Sequence, residues 1–297
     1  MSRPRARLRP DAQVLVDYPD QVKVVLPSGA ALAFPVHGKA VETALALRTA
    51  DKGWEVCPEV MRRLEERGLL VPHDTPVERL FLTGGLAEGL PVRDGRVCVL
   101  GDGVVAKAAW RTLVELGTSR ARIVSGTDLE RIDTDGDFVL LALDRLEPTT
   151  LESVNTWAVE TGTPWLPAGP FEPRRLNVGP LVVPGQTACW SCFTVRRRTN
   201  TRDRQVFDHL WRMNGSRPKA TNVPSTLVST AGHFAALEAA RFLGGVVPAT
   251  LESSWSLGLD GFGTAHDTVL RAPRCPVCSR LRRTPAREPW TALPRGA

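Results

Sequence analysis

Cys189-Trp190-Ser191-Cys192 and Cys275-Pro276-Val277-Cys278 are two knuckles of the same spacing. A two-residue spacer lets both sulfurs of a knuckle turn inward on one tight loop. Two knuckles supply four thiolates, the tetrahedral set that Zn2+ prefers. No fifth ligand is suggested nearby, so the sequence predicts a closed structural site. Residues 193–274 separate the knuckles. The site therefore staples a distant C-terminal segment back onto the body of a domain. A redox Cys-x-x-Cys pair usually opens a helix after a strand, and neither knuckle reads as that setting. The other two cysteines, Cys57 and Cys98, read as lone buried thiols.

Around this staple the composition is that of a globular protein: 297 residues, 42% hydrophobic and 24% charged. That length suits one large or two ordinary domains. No apolar run reaches the roughly 18 residues that span a bilayer. No apolar stretch follows the Arg- and Pro-rich N-terminus, as a signal peptide requires. No membrane partner and a cytoplasmic location are expected. The net charge is +6 and the pI about 9.3, with Arg supplying most of the cations. Arg suits bidentate contacts to carboxylate or phosphate. Basic and aromatic residues are not interleaved, so nucleic acid is not an expected partner.

Upstream of the first knuckle, Arg96-Val-Cys-Val-Leu100 reads as a buried strand, followed at once by Gly101-Asp-Gly103. A helix over Ala106–Leu116 and a strand over Arg122–Ser125 complete a Rossmann-type βαβ opening. Gly101 and Gly103 fit the first two glycines of G-x-G-x-x-G, and Ala106 fits the third. Bulky Val104 and Val105 stand where a phosphate loop prefers small residues, so the loop reads as a degenerate nucleotide site. Phe138–Leu143 reads as a third parallel strand with Asp144 at its carboxyl end, where such sheets place ligand-binding residues. A helix over Leu151–Glu160 and a strand from Pro164 follow. The order implies a mostly parallel sheet with helices on both faces. Arg196 to Lys219 reads as a basic, solvated loop or, more sharply, as a contact surface for a peptide or partner enzyme. Pro224–Gly245 reads as a long helix, and Trp255–Leu259 and Thr268–Arg271 as strands.

Residues 1–80 read as a separate domain, 81–95 as a linker with turns, and 96–297 as the second domain. The first ten residues read as a disordered arm. Strands are predicted over Val14–Tyr18, Gln21–Leu26 and Ala30–Phe34, with a turn at Pro27-Ser28-Gly29. A helix over Gly38–Arg48 places Val41, Ala44 and Leu45 on one face. A further helix starts at Pro58, carries the stripe Val60, Met61 and Leu64, and ends at Gly68.

The strand-strand-strand-helix order and the ending Leu64-Glu-Glu-Arg-Gly-Leu-Leu70 resemble the winged-helix-like leader-peptide recognition domain of ribosomal-peptide (RiPP) modification systems. The resemblance implies that a leader peptide adds as a strand beside the third strand. Its groove would lie between Ala31, Leu32, Ala33 and Phe34 and the helix from Pro58, with Arg62 and Arg63 meeting acidic leader side chains. The knuckles on either side of a long helix, after a strand-Gly-helix opening, resemble the ThiF family over residues 95–280. That is the fold of ubiquitin-activating and related adenylating enzymes. The two together resemble the ThiF-like partner proteins of azole-forming YcaO cyclodehydratases.

What the resemblance implies is an α/β chain: a winged-helix-like domain, then a ThiF-like Rossmann-type domain with a four-cysteine zinc site. The implied partners are a precursor-peptide leader and a YcaO cyclodehydratase that forms azolines from Cys, Ser or Thr. Such folds are commonly homodimers, which leaves a homodimer open. Active members carry a longer glycine-rich loop and further groups that hold ATP and Mg2+. Here Gly101, Gly103 and Asp144 are what remains, Asp144 at the position of a magnesium-binding aspartate. No cysteine lies between Cys192 and Cys275, so thioester transfer is not expected. The expectation is a non-catalytic activator with structural zinc and no need of ATP. The alternative is an ATP-dependent adenylating enzyme acting on a peptide or carrier C-terminus. A DNA-binding regulator is a third reading.

Overall fold

The computed structural model describes residues 6–9, 12–17, 19–26, 29–47, 52–72, 95–118, 120–126, 128–134, 137–172, 174–212, 223–279 and 281. The expected linker, apart from Gly95, and the turn residues Pro27 and Ser28 lie outside them. The chain divides into two units, Met1–Leu90 and Pro91–Ala297.

In the first unit, β1 (Ala6–Leu8) pairs antiparallel with β5 (Leu70–Pro72). A separate antiparallel sheet runs β2 (Gln13–Asp17), β3 (Gln21–Val25), β4 (Ala31–Pro35). Its register sets Val14 opposite Val24 and Val22 opposite Phe34. One face thus gathers Val14, Val22, Val24, Leu32 and Phe34 into a core with the helices α1 (Ala40–Leu47), α2 (Lys52–Val56) and α3 (Pro58–Glu66). Pro58 opens α3, where its missing N–H costs nothing. Gly68, at φ +64°, closes it, and the Leu69 N–H turns back to the Leu64 carbonyl at 2.9 Å.

Two expectations change here. Ala6–Leu8 of the expected arm is a strand, because Leu8 is buried in the core and β5 supplies a ladder. And α1 buries Ala40, Ala44 and Leu47, while Val41 and Leu45 are exposed. Small alanines let the helix lie close to the sheet, so the bulkier pair turns out.

The second unit is a seven-stranded sheet of β6 (Arg96–Leu100), β7 (Ala121–Val124), β8 (Asp137–Ala142), β9 (Trp165–Glu172), β10 (Arg175–Val178), β11 (Ser253–Gly258) and β12 (Thr264–Thr268). Their order is β12-β11-β10-β9-β8-β6-β7. β7, β6, β8 and β9 run parallel; β10, β11 and β12 join antiparallel. The sheet is therefore mixed rather than mostly parallel. Only residues 173 and 174 link β9 to β10, and a parallel crossover needs about a dozen. The last strand also ends earlier than expected, at Thr268, because the short turn after Gly258 folds the chain back at once.

Among the described residues, five helices accompany the sheet: α4 (Val104–Glu115), α5 (Pro148–Thr161), α6 (Trp190–Asn200), α7 (Arg204–Arg212) and α8 (Ser225–Leu243). Alternation along β6 sends Val97 and Val99 into one core with α4 and α8. Cys98 and Leu100 go to the other, with α5 and α6. Gly232 of α8 sits so near α4 that a Cβ there would meet the Val105 carbonyl oxygen at 2.3 Å. The basic stretch expected as a loop is helical over most of its described part, as α6 and α7; residues 213–222 lie outside the described set. Among the described residues, no helix is long and apolar enough to cross a membrane.

Candidate functional site

The four knuckle cysteines converge. Their sulfurs all lie within 4.8 Å of one another, and all four residues are buried. Cys189 Sγ is 3.8 Å from Cys192 Sγ and 3.5 Å from Cys275 Sγ, and Cys192 Sγ is 3.4 Å from Cys278 Sγ. No disulfide joins any of them. A tetrahedral ion with metal–sulfur bonds near 2.3 Å would space its sulfurs by about 3.8 Å. The four side chains fit such an ion and could hold one. With thiols alone, the hydrogen bond from Cys189 to Cys192 and burial push the Cys189 thiol up, while the same bond pulls Cys192 down. Burial pushes Cys275 up. Burial thus opposes a set of four thiolates unless a cation joins them.

The setting of the first knuckle differs from expectation. Cys189 is the N-cap of α6, so this knuckle does open a helix. What separates it from a redox pair is the second knuckle. Each sulfur of the first stands closer to one from the second, at 3.5 and 3.4 Å, than to its own partner at 3.8 Å. Asn155 of α5 fastens the turn: the Trp190 N–H donates to its Oδ1 at 2.8 Å, and its Nδ2 donates to Ser191 Oγ at 3.2 Å. Sequence reasoning passed over Asn155. Its signal is an amide inside the buried stripe Leu151, Val154 and Ala158, where a polar group must find partners.

The degenerate loop comes together as well. Gly101 has φ +135°, and a Cβ there would lie 2.2 Å from the Ala142 carbonyl oxygen. A Cβ on Gly103 would lie 2.2 Å from Asp144 Oδ2. Asp144 Oδ2 accepts from the Val104 N–H at 2.9 Å, and Oδ1 from the Val105 N–H at 3.0 Å. These are the first amides of α4, the kind of place where a bound phosphate accepts its hydrogen bonds. In this chain an internal carboxylate takes them. The loop after β6 and the end of β8 thus meet as the sequence implied, but Asp144 is turned to backbone amides.

In the first unit, β4 is a sheet edge, and among the described residues no strand pairs with its outer side. The bonds Leu26 N–H to Ala30 O and Val36 N–H to Asp20 O set the alternation. Leu32 and Phe34 therefore bond β3, and the backbone groups of Ala31 and Ala33 turn outward. Pro35 ends this row, having no N–H to offer. Leu32 and Phe34 point their side chains to the core; Phe34 is 4% exposed. Of the expected groove residues, Ala31 and Ala33 thus present the edge, and Leu32 and Phe34 anchor it. Phe34 shares its core with Val60, Met61 and Leu64 of α3. Arg62 bonds Glu59 at 2.9 Å and Glu66 at 3.2 Å, and Arg63 stands 3.4 Å from Glu59, all on the exposed face. An acidic ligand would exchange these partners rather than meet unpaired cations.

No protein-family model and no curated protein match this chain. Solved structures do. The chain shares the fold of heterocyclases and of MccB. A heterocyclase in complex with substrate and cofactor matches with a TM-score of 0.68 and 20% identity, over 93% of this chain and 40% of its own. The heterocyclase TruD gives 0.67 and 20%, over 93% and 43%. E. coli MccB with ATP gives 0.59 and 16%, over 92% and 99%. This chain thus spans about two fifths of the two heterocyclases and nearly all of MccB. At these identities the likeness establishes the fold.

Proposed function

We propose that this protein binds the leader of a ribosomally made precursor peptide and presents it to a YcaO-type cyclodehydratase on a separate chain. The β4 edge is the observation that carries this reading. Its outward amides belong to alanines, whose small side chains leave room for an added strand. Backbone bonds would supply affinity, and neighbouring side chains the selection. The likeness in fold to two heterocyclases supports a link to heterocycle formation.

The protein acts here as a recognition subunit and not as the enzyme. Asp144 supports this, since it fills the amides that a nucleotide phosphate would need. The metal of the four-cysteine centre is Zn2+ in this reading, held by Cys189, Cys192, Cys275 and Cys278. It would tie the segment around Cys275 to α6 and supply no step of the reaction. Isothermal titration of the full chain with leader peptides tests the proposal. Binding without ATP is expected, and no binding would sink it.

A second reading stays in play because MccB, solved with ATP, matches over nearly its whole length. In it the chain is an adenylating enzyme acting on a peptide or carrier C-terminus. Pyrophosphate exchange that disappears in Asp144→Ala would select it.

A further inference from the structure

Beside the cysteine centre, α6 and α7 border a cavity with roughly 670 Å3 of empty space, its open mouth included. Phe171, Trp190, Phe193, Phe207 and Trp211 line it. The rings brace one another. Phe207 stacks on Trp211 at 5.1 Å, and Trp211 faces Trp190 at 6.5 Å. Trp211 Nε1 donates to Glu152 at 2.8 Å, and Arg198 donates twice to Asp208, at 2.5 and 2.6 Å, so α7 is fastened at two points.

The cavity shares Phe193, Arg197 and Thr201 with an open trough that continues along His266, Asp267 and Thr268 of β12. β12 is the edge of the seven-stranded sheet, and among the described residues no strand pairs with its outer side. The bonds Gly258 N–H to Gly263 O and Val269 N–H to Glu252 O set its alternation. The backbone groups of Thr264, His266 and Thr268 therefore turn outward. The side-chain charges cancel: Arg196 and Arg197 stand with Glu172 and Asp267 around cavity and trough.

We propose that this is a second peptide groove, in which an extended, uncharged segment adds to β12 and seats an aromatic side chain between α6 and α7. The proposal rests on the peptide-binding reading above but places the contact in a different unit. An open strand edge supplies sequence-independent hydrogen bonds, and a cavity beside it selects a side chain. A cavity walled by rings suits an aromatic guest, which gains edge and face contacts beyond its buried area. An uncharged segment fits because the charges lining cavity and trough already balance. Asn200, Thr201 and Thr268 add amide and hydroxyl groups for a polar backbone.

The test is isothermal titration of the full chain with two capped peptides, Thr-Val-Ser-Phe-Ser-Val-Thr and the same peptide with Ser for Phe. The Phe peptide should bind at least tenfold more tightly. Phe207→Ala should remove that preference. Thr268→Pro should weaken both peptides at least fivefold, since it deletes an outward N–H while leaving the β11 ladder intact. Ala33→Pro, on the β4 edge, should leave both unchanged. Melting curves check that each variant folds; Phe207 and Thr268 lie in different elements, so one misfolded variant leaves the other as the test. Equal affinity for the two peptides, no binding by the parent protein, or loss through Ala33→Pro would each overturn the second groove. Titration of leader peptide against Ala33→Pro judges the β4 reading separately.

Discussion

Asp144 joins residues far apart in the chain through two hydrogen bonds, to the amides of Val104 and Val105. Asp144→Ala leaves both donors without their acceptor at a helix N-terminus. Urea unfolding should record a loss of about 1–2 kcal/mol. ATP turnover should be absent before and after. Gly101→Ala should cost more, because its Cβ meets the Ala142 backbone oxygen, which cannot swing aside as a side chain can. The loss expected is on the order of 1–3 kcal/mol, from a non-glycine residue held at positive φ. The sequence made Gly101, Gly103 and Asp144 legible as one site because motif spacing points to them. It did not reveal which groups Asp144 bonds, since that depends on how β8 ends beside α4. Asn155 was hidden for the same reason: its partners lie on α6.

At the scale of elements, alternation and punctuation carry most of the information. The glycines, the Pro58 start and the apolar stripes placed β2, β3, β4, β6, β7, β8, β9, β11, α1, α3, α4, α5 and α8 within a few residues, while β1, β5, β10, α2, α6 and α7 were not anticipated. The readings that moved did so through contacts between distant segments. Arg196, Arg197 and Arg198 look solvated in sequence, yet each has a partner. Arg196 donates to the carbonyls of Leu270 and Arg271, Arg197 pairs with Glu172, and Arg198 with Asp208. Those partners turn a basic stretch into α6 and α7. The β4 edge makes the element-scale prediction. Ala33→Pro removes an outward N–H and spares the bonds to β3, so leader affinity should fall at least tenfold by titration. Thermal unfolding should change little. Unaltered affinity would remove the edge from the account.

Across the whole molecule, the four cysteines bring together segments that chain order keeps far apart. Their convergence was legible because paired Cys-x-x-Cys spacing has few other uses. The knuckle's place at the start of α6 was not. Metal binding of this kind is folding free energy. Cys275→Ser should therefore destabilise the second unit by several kcal/mol, on the order of 5, and release bound metal, read by calorimetry and metal analysis. A variant with full metal content and unchanged melting would contradict the staple. Four thiols must shed their protons to bind an ion as thiolates, so falling pH favours the apo form. Stability from the centre should thus be present at neutral pH and lost on acidification, and a chelator should reproduce that loss at neutral pH.

The central claim is recognition of a peptide without nucleotide chemistry. Its most direct test is titration of the full chain with leader-bearing precursor peptides, with and without Mg-ATP. The account predicts the same affinity in both, carried by the leader alone, and no ATP consumed. Binding that requires ATP, or peptide-dependent release of pyrophosphate, would contradict it.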